Sequence, residues 1–296
     1  MEWFIGFFEA EGSIIYWTDG GNIRFRIEVS QQDKDLIYFI QKQFGFGTVI
    51  EIVKQGANTN WRYQVEKFSG LLQMIDLLNG NLFLQKRQTL LKKWLLVFNK
   101  KHNTQIVYKE ETPQFTLTDG WLSGFLEGDG GFSIPQKFIR INKKSRAYDL
   151  KLRFFVTQKD GSDLIGWLRF LLNLKTPLRD HVNKVIDPKT QAEIKRGYDR
   201  LDTATFESAT IILEYLTRFP FLGKRQITVD SWKELMEYRG TKYPVTTETT
   251  AIIQKLVDQT KKVEVSLQDN PAVGSDTEST FLVVPEVRLE SLPKIK

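Results

Sequence analysis

Two short segments of the sequence each end in a carboxylate followed by a glycine. Trp3–Gly12 and Trp121–Gly130 read WFIGFFEAEG and WLSGFLEGDG, and they align without a gap. Their apolar spacing predicts a helix that ends at the final glycine, a residue suited to the end of a helix. Glu11 and Asp129 would then lie at the negative end of a helix dipole, where an acid is unfavourable. A bound divalent cation would make a facing pair of such acids tolerable, so the spacing indicates a metal site.

Small residues recur at an interval of four within both segments. Gly6 and Ala10 share one face of the first predicted helix, and Gly124 and Gly128 share the matching face of the second. Small side chains at this interval let two helix backbones approach closely. We therefore expect the two helices to pack together and to bring both carboxylates to one junction. The alternative is that each acid–glycine pair is only a polar helix end; two pairs in register favour the junction.

The composition limits which metal such a junction could hold. The 296 residues include no cysteine, and the two histidines are His102 and His181. Thiolate sites are therefore excluded and histidine-rich sites disfavoured, and the remaining oxygen donors favour Mg²⁺, Mn²⁺ or Ca²⁺. The run Gly128–Gly131 lacks the alternating acidic ligands of an EF-hand loop. Glu9 and Glu127 are interpreted as structural acids that cap or join the helices.

Two further pairs of segments repeat in the same order along the chain. VSQQD at Val29–Asp33 matches VTQKD at Val156–Asp160, and FLQKRQ at Phe83–Gln88 matches FLGKRQ at Phe221–Gln226. Three matches in one order indicate an internal duplication.

Each copy is predicted to have the element order α-β-β-α-β-β-α-α, which makes an α+β fold of two pseudo-symmetric repeats. The first hairpins are predicted at Ser13–Trp17 with Ile23–Ser30 and at Phe132–Arg140 with Tyr148–Thr157. The last predicted helices are Gln85–Phe98, Lys224–Tyr238 and Thr247–Lys261. The predicted domains are a first repeat at 1–98, a linker at 99–118, a second repeat at 119–240, and a C-terminal extension at 241–296 that is partly helical and then irregular.

Alternation in the second strand of each copy separates an apolar face from a polar face. Phe25, Ile27 and Val29 alternate with polar residues, and Phe154 and Val156 do so in the second copy. One face would pack on helices, and the other would carry long side chains suited to base edges in a DNA major groove. An ordinary solvated sheet face fits the alternation equally well. The candidate DNA-contacting residues are Arg24, Arg26, Glu28, Ser30, Gln32, Arg62, Gln64, Lys137, Arg140, Lys151, Arg153, Arg179, Lys195, Arg196 and Arg200.

The net charge of +6 is distributed unevenly along the chain. Residues 263–296 hold six acidic and three basic residues, so residues 1–262 carry 39 basic and 30 acidic residues, or +9. A basic body favours a polyanionic partner such as nucleic acid. No apolar run reaches the length of a membrane span, and no secretory signal is expected. The acidic segment 263–296 matches neither copy and is predicted to be dispensable.

The segments FIGFFEAEG and LSGFLEGDG resemble the nine-residue motif of the LAGLIDADG homing endonucleases, in the single-chain type with two repeats. The resemblance extends over about residues 1–240. It implies one αββαββα unit per repeat, with two curved antiparallel sheets that form a saddle for DNA. It also implies that Glu11 and Asp129 bind the catalytic metal ions together with the backbone carbonyls of Ala10 and Gly128.

The resemblance assigns further residues near each carboxylate. The polar residues of the family's active site correspond to Gln31 and Gln158, and its basic residues correspond to Lys86 and Lys224. The arginine that follows each lysine is an alternative for the basic role.

The activity implied by the resemblance is a double-strand break in a long, non-palindromic DNA target, made by a monomer. The implied cofactor is Mg²⁺, with Mn²⁺ as a substitute and Ca²⁺ as an ion that supports binding without cleavage. An intron-encoded origin in a mitochondrion or chloroplast follows from the resemblance alone. The alternatives are an intron RNA maturase and a DNA-binding regulator on the same fold, neither of which would need both carboxylates.

Overall fold

The computed structural model describes residues 1–53, 59–111, 113–134, 139–142, 147–159, 161–174, 179–186, 193–240 and 242–267. Within these ranges only the backbone is described for 139–140, 179–186 and 193–197.

The N-terminal half folds around one open antiparallel sheet. Its elements are α1 (Glu2–Glu11), β1 (Gly12–Asp19), β2 (Asn22–Gln31), α2 (Lys34–Phe44), β3 (Thr48–Ile52), β4 (Asn60–Val65), α3 (Phe68–Leu78) and α4 (Gln85–His102). The strand order is β1-β2-β4-β3. The first hairpin closes at Asp19 opposite Asn22, and Gly20 and Gly21 take positive φ values of 53° and 81°. Such a two-residue turn matches the twist of paired strands, which explains the Gly-Gly pair.

The C-terminal half repeats this plan with additions. Its elements are α5 (Trp121–Asp129), β5 (Gly130–Ser133), β6 (Ile139–Asn142), β7 (Ala147–Leu150), β8 (Arg153–Gln158), α6 (Ser162–Leu171), β9 (Arg179–Ile186), β10 (Glu193–Thr203), α7 (Phe206–Arg218), α8 (Gln226–Glu237) and α9 (Thr247–Ser266). The four-stranded sheet has the order β5-β8-β10-β9, and β6 pairs with β7 in a separate ribbon. The two sheets have matching strand orders, which agrees with the predicted duplication and the α+β fold class.

Each half has its own hydrophobic core beneath one face of its sheet. Phe25, Ile27 and Val29 of β2 are buried in the first core, and Phe154 and Val156 of β8 are buried in the second. The predicted separation of apolar and polar sheet faces is therefore confirmed on these two strands. The motif helices divide largely in the same way, because α1 buries Phe4, Phe7 and Phe8 in the first core and α5 packs in the second, while Ile5 of α1 joins the second core.

The first hairpin of the second repeat differs from the prediction. The two long strands predicted at Phe132–Arg140 and Tyr148–Thr157 are broken, so that β6 and β7 leave the main sheet. The hydroxyl group of Tyr148 lies 2.8 Å from those of Thr249 and Thr250 on α9. The ribbon therefore packs on a helix that has no counterpart in the first repeat, and the alternation of residues could not indicate that contact.

Three helix boundaries also differ from their predicted positions. Helix α4 continues past Phe98 to His102, and α9 continues past Lys261 to Ser266. Helix α8 begins at Gln226, because residues 223–225 form a turn that precedes the helix. Val263 and Glu264 of α9 are buried, so the start of segment 263–296 is part of the folded body. None of the described helices combines the length and apolar character needed to cross a membrane.

Candidate active site

The site is built on the crossing of α1 and α5. A Cβ atom on Gly6 would lie 1.9 Å from the carbonyl oxygen of Trp121, and one on Gly124 would lie 1.8 Å from that of Trp3. These distances leave no room for a side chain, since the two backbones are already in contact. The predicted packing of the two small faces is confirmed, and glycine is needed at both crossing positions.

The crossing brings the two terminal carboxylates to one junction. A Cβ atom on Gly128 would lie 2.5 Å from the Cβ of Ala10 and 3.5 Å from Oε1 of Glu11. Glu11 of the first helix therefore lies beside the residue that precedes Asp129 in the second. Such a cluster of acids at two helix C-termini needs compensating positive charge.

A glutamine from each sheet binds each carboxylate. Gln31 Nε2 donates a hydrogen bond of 3.1 Å to Glu11 Oε1, and Gln158 Nε2 donates one to Asp129 Oδ2. Both glutamines are nearly buried, at 8% and 6% exposure, because they continue the inward-facing alternation of β2 and β8. The structure thus brings together all four of these predicted site residues.

The two predicted lysines lie against the opposite half of the molecule. Lys86 Nζ donates a hydrogen bond of 3.1 Å to Gln158 Oε1, which connects the first repeat to the Asp129 carboxylate. The Nζ of Lys224 lies 3.8 Å from Oδ1 of Asp33, whose Oδ2 accepts a 2.6 Å hydrogen bond from the Lys224 backbone N–H. Asp33 is buried and also accepts a bond from the first turn of α2. The two lysines, equivalent in sequence, therefore have different partners.

The arginines that follow the lysines bind the ends of the motif helices. Arg87 donates to the carbonyl oxygen of Glu9 at 3.3 Å and, through Nη2, to that of Ala10 at 3.4 Å. Arg225 Nη1 lies within hydrogen-bond distance of three carbonyl oxygens at the end of α5, those of Leu126 (2.9 Å), Glu127 (2.6 Å) and Gly128 (3.2 Å). A cation at a helix C-terminus satisfies unpaired carbonyls and opposes the dipole. The repeated Lys-Arg pair in the sequence is the signal for this second role.

The inner acids Glu9 and Glu127 hold the loops that lead to the lysines. Glu9 accepts hydrogen bonds from the backbone N–H groups of Phe83 and Leu84, the latter at 2.8 Å. Burial raises the pKa of Glu9 to about 7, against the lowering effect of these bonds. This arrangement agrees with the interpretation of Glu9 as a structural acid.

Glu127 has the corresponding place in the second half. It accepts bonds from the N–H groups of Leu222 (2.8 Å) and Gly223 (2.5 Å), and from the indole of Trp3 at 3.1 Å. Burial raises its pKa to about 7 as well. Because Trp3 belongs to α1, this acid also joins the two motif helices.

The electrostatics of Asp129 reflect the balance between burial and neighbouring cations. Burial raises the pKa of Asp129 to about 6, while Lys86, Arg87 and the hydrogen bond from Gln158 lower it. The oxygen donors at the junction are those that Mg²⁺, Mn²⁺ or Ca²⁺ prefer, and they fit such an ion. Within the described ranges no group of three or more acidic or histidine side chains forms a complete metal cage. Backbone, water or substrate oxygens would have to complete the coordination.

The polar face of the N-terminal sheet carries arginines paired with acids. Arg26 donates to Glu66 at 2.6 Å and to Glu28 at 3.2 Å. Arg62 lies 3.3 Å from Glu28 and donates to Ser30 at 3.3 Å. These side chains lie on one face of the sheet, as predicted, and the ion pairs and hydrogen bonds among them fix their orientations.

The polar face of the C-terminal sheet has fewer acids among its described residues. Arg153 and Arg200 both bind the carboxylate of Asp202, with Nε–oxygen distances of 2.9 and 3.2 Å. Both guanidinium groups lie over the ring of Phe155, at 5.3 and 4.4 Å from its centre. Although burial raises the pKa of Asp202, its bonds to the two arginines bring it below the ordinary value.

The remaining candidate contacts differ in exposure and in how much of each residue the structure describes. Arg24 is exposed and lies 3.6 Å from Asp19, and Gln64 faces Glu28 across the β2–β4 pair. Gln32 is half-buried at the end of β2, and Lys151 is exposed beside β8. Lys137 lies outside the described residues, and only the backbone is described at Arg140, Arg179, Lys195 and Arg196.

A comparison with protein families identifies the fold and its motif. The family model for LAGLIDADG endonucleases matches residues 4–98 and 122–236, which together make up more than two thirds of the chain. The chain belongs to the LAGLIDADG endonuclease family. The two matched segments correspond to the two halves of the structure, so one chain contains both LAGLIDADG units.

Relatives and solved structures agree with this assignment. A probable intron-encoded endonuclease of Neurospora crassa is 32% identical over 231 residues, 78% of this chain and 38% of the relative. An intron-encoded DNA endonuclease of Dictyostelium discoideum is 24% identical over 49% of this chain and 50% of its own length. The chain thus spans half or less of the curated relatives it matches.

The fold is also similar to that of solved meganucleases. The meganuclease I-SmaMI, bound to an uncleaved DNA target in the presence of calcium ions, has a TM-score of 0.58 and 16% identity, over 90% of this chain and 98% of that one. The LAGLIDADG meganuclease I-CpaMI, bound to uncleaved DNA, has a TM-score of 0.57 and 17% identity with the same coverage. The similarity confirms the LAGLIDADG fold for the described chain.

Proposed function

We propose that this protein is a site-specific endonuclease that hydrolyses both strands of a double-stranded DNA target and depends on Mg²⁺. The observation that carries the proposal is the single junction at which Glu11 and Asp129 meet, each bound by a glutamine. Structures of the same fold bound to DNA, and relatives described as endonucleases, support the choice of substrate.

Glu11 and Asp129 would hold the metal ions, with the carbonyl oxygens of Ala10 and Gly128 as further ligands. A bound divalent ion would activate water and stabilise charge on the leaving 3′ oxygen. Mn²⁺ would replace Mg²⁺, and Ca²⁺, which accompanies DNA in one related structure, would support binding without cleavage. Arg87 and Arg225 bind carbonyl oxygens at the C-terminal ends of the two motif helices. They would thereby fix the backbone positions from which the two carboxylate side chains extend.

Lys86 and Gln158 would act beside Asp129. Gln158 donates a hydrogen bond from Nε2 to one carboxylate oxygen of Asp129, and its Oε1 accepts a hydrogen bond from the Lys86 ammonium group. These two hydrogen bonds would keep the positive charge of Lys86 next to the position of the DNA phosphate. Lys86 would stabilise the charge that develops on the phosphate or position the attacking water. Gln31 would orient Glu11 in the same way, and Lys224, whose ammonium lies beside Asp33, would be the corresponding cation.

The polar faces of the two sheets would bind the DNA duplex. Arg26, Arg62, Arg153 and Arg200 are held in defined orientations by acids on the same face. Prearranged guanidinium groups suit the guanine edge in the major groove, and other basic side chains suit phosphates. Because the two faces differ in sequence, the target would be non-palindromic and one protein chain would cover it. We extend to this chain the intron-encoded origin of its relatives, and with it an organellar genome.

A selection experiment tests the proposed function. The protein is incubated with a randomised library of double-stranded DNA in Mg²⁺ or in EDTA, and cut molecules are sequenced. We expect double-strand breaks at one long site in Mg²⁺, and none in EDTA or with Asp129→Asn. Selective binding without cutting in Mg²⁺ or Mn²⁺ would instead identify a DNA-binding regulator. Preferential binding of intron RNA without DNA cleavage would identify a maturase.

A further inference from the structure

The arginine that caps the second motif helix is a buried cation. Arg225 is 6% exposed, and its Nη1 atom contacts three carbonyls near the end of α5, those of residues Leu126 to Gly128. Its Nε atom is also buried and has no hydrogen-bond partner among the described residues. A buried guanidinium requires a compensating negative charge, and the position of that charge orients the group.

The compensating charge comes from the helix that follows the second repeat. Glu264 of α9 is 8% exposed, and its Oε1 lies 3.5 Å from Nε of Arg225. The same oxygen accepts a 3.3 Å hydrogen bond from the hydroxyl of Thr228 on α8. The backbone N–H of Phe132, three residues after Asp129, also hydrogen-bonds Glu264. One carboxylate therefore connects α9 to α8 and to the strand that leaves the site.

The first half arranges its arginine differently. The acids that face Arg87 are Glu9, Glu11 and Asp129, all of which belong to the motif helices. Its bonds to the end of α1 are 3.3–3.4 Å long, whereas the shortest bond from Arg225 to the end of α5 is 2.6 Å. In the second half, Glu264, an acid from outside the repeat, compensates part of the charge of Arg225.

We propose that Glu264 is a positioning residue for the Asp129 half of the active site. Its carboxylate lies 3.5 Å from Nε of Arg225, and this charge contact keeps Nη1 on the end of α5, so that the Asp129 carboxylate remains available for the metal. Without this charge, the buried guanidinium would turn toward the nearest remaining acids, Glu127 and Asp129. The inference rests on the proposed function for its catalytic part and predicts that α9 affects the cutting of one strand.

The first test measures the two strands separately. The full chain with Glu264→Gln is compared with the wild type on a target labelled on each strand, in Mg²⁺ and under single-turnover conditions. Gln keeps the size and the hydrogen-bond acceptor but removes the charge. We expect one strand to be cut at least about tenfold more slowly, equivalent to about 1.4 kcal/mol, and the other to change less than about twofold. Nicked DNA would accumulate, and the slow strand would be the one that Gln158→Ala also slows most.

The matched control is Asp258→Asn. Asp258 is an exposed acid on the same helix, 3.6 Å from Lys261. Its neutralisation changes the charge of α9 by the same amount without touching Arg225. We expect both strands to be cut at wild-type rates. An equal slowing of both strands by Glu264→Gln, or no slowing of either, would overturn the proposal.

The second test needs neither metal nor DNA. Hydrogen exchange is measured by mass spectrometry on peptides that cover residues 126–133 and residues 8–15. Glu264→Gln should increase exchange in 126–133 and leave 8–15 unchanged, because only the first segment is held through Arg225. Unchanged exchange in both segments would contradict the positioning role even if the wild type cut no DNA. Failure of the proposed endonuclease would instead appear as an uncut target with the wild type.

A double variant covers the case in which Glu264→Gln does not fold. Arg225→Met with Glu264→Leu removes both buried charges, a change that is often tolerated in packing terms. Because this variant also removes the Nη1 contacts that hold the end of α5, it should show the same slow strand. Equal and near wild-type rates on both strands would overturn the proposal.

Discussion

The two halves of the molecule share a Lys-Arg-Gln sequence at the start of their last common helix, yet they use its lysine differently. Lys86 of the first half reaches Gln158 and, through it, Asp129. Lys224 of the second half lies next to Asp33, a buried acid that also caps α2. Duplicated residues therefore occupy equivalent positions in the repeated sequence while their side chains meet different partners.

This difference arises because each lysine lies against the other repeat. Once a duplicated chain packs on itself, the surroundings of each position depend on changes in both copies. The second half also has α9, which supplies Glu264 to Arg225, and the ribbon β6–β7 packs on the start of that helix. We infer that the two halves are unequal catalytic units, and the following variants test how unequal they are.

The largest effect is expected from the two carboxylates. Glu11→Gln and Asp129→Asn should each reduce cleavage by roughly a thousandfold or more, because each removes a charged ligand worth several kcal/mol in the transition state. Folding should be retained, since removing an acid at two helix C-termini relieves repulsion. DNA binding in EDTA should remain steeply dependent on salt, because the proposed phosphate contacts lie on the sheets. Single-turnover cleavage, binding and melting temperature are measured; near wild-type cutting of both strands by either variant would place the active site elsewhere.

The lysines should separate the halves more clearly. Lys86→Met should slow cleavage by about a hundredfold, the usual effect of losing one donor to developing charge. Lys224→Met should slow it less, because its ammonium is partly engaged by Asp33. Both should weaken binding in Ca²⁺ less than they slow cleavage. Single-turnover rates for each strand provide the measurement, and a larger effect of Lys224→Met would reverse the comparison.

The inner acids should affect stability in both halves rather than chemistry. Glu9→Gln and Glu127→Gln each leave one backbone N–H without its acceptor, which costs about 1–3 kcal/mol of unfolding free energy. Because burial raises both pKa values to about 7, the folded protein binds these protons more tightly than the unfolded chain. Their ionisation therefore lowers stability as the pH rises from about 4.5 to 7.

Thermal melts across that pH range test this assignment. Ionisation of the two acids should lower the wild-type melting temperature as the pH rises, and the melting temperature of each Gln variant should depend less on pH. Rates of the folded variants should stay within about tenfold of wild type, in contrast to the effect expected for the terminal carboxylates. A Gln variant with wild-type stability and no cleavage would show that the inner acid takes part in the reaction.

The smallest effect should come from a C-terminal truncation that spares α9. Deletion of 268–296 should change DNA affinity by less than about tenfold, since its loss removes acidic residues that oppose a polyanion. Deletion of 263–296 also removes the buried Val263 and Glu264, so it should lower the melting temperature and slow one strand. Plasmid nicking and melting curves for the two truncations give the comparison. Identical behaviour of the two proteins would show that the end of α9 is not needed.

Much of this architecture could be read from local patterns in the amino-acid sequence. The duplicated motif placed Glu11 and Asp129 at helix ends, and the interval of small residues predicted that these helices would cross. Gln31 and Gln158 were assigned to the site through the resemblance to the LAGLIDADG family, and their burial continues the two-residue alternation of β2 and β8. The helix ends and the helix crossing depend on residues a few positions apart in the sequence, which explains why they were predictable.

Only the tertiary structure decided which side chains meet across the two halves. The contact of Lys86 with Gln158 spans 72 positions, and that of Lys224 with Asp33 spans 191. The broken hairpin at β6–β7 and the buried pair of Arg225 with Glu264 depend on where α9 packs. These contacts form between elements whose relative placement comes from burying whole faces, and no periodicity within either segment specifies it. The sequence by itself therefore determined the repeated frame and its carboxylates, and the packing of the two unequal halves determined the partner of each charge.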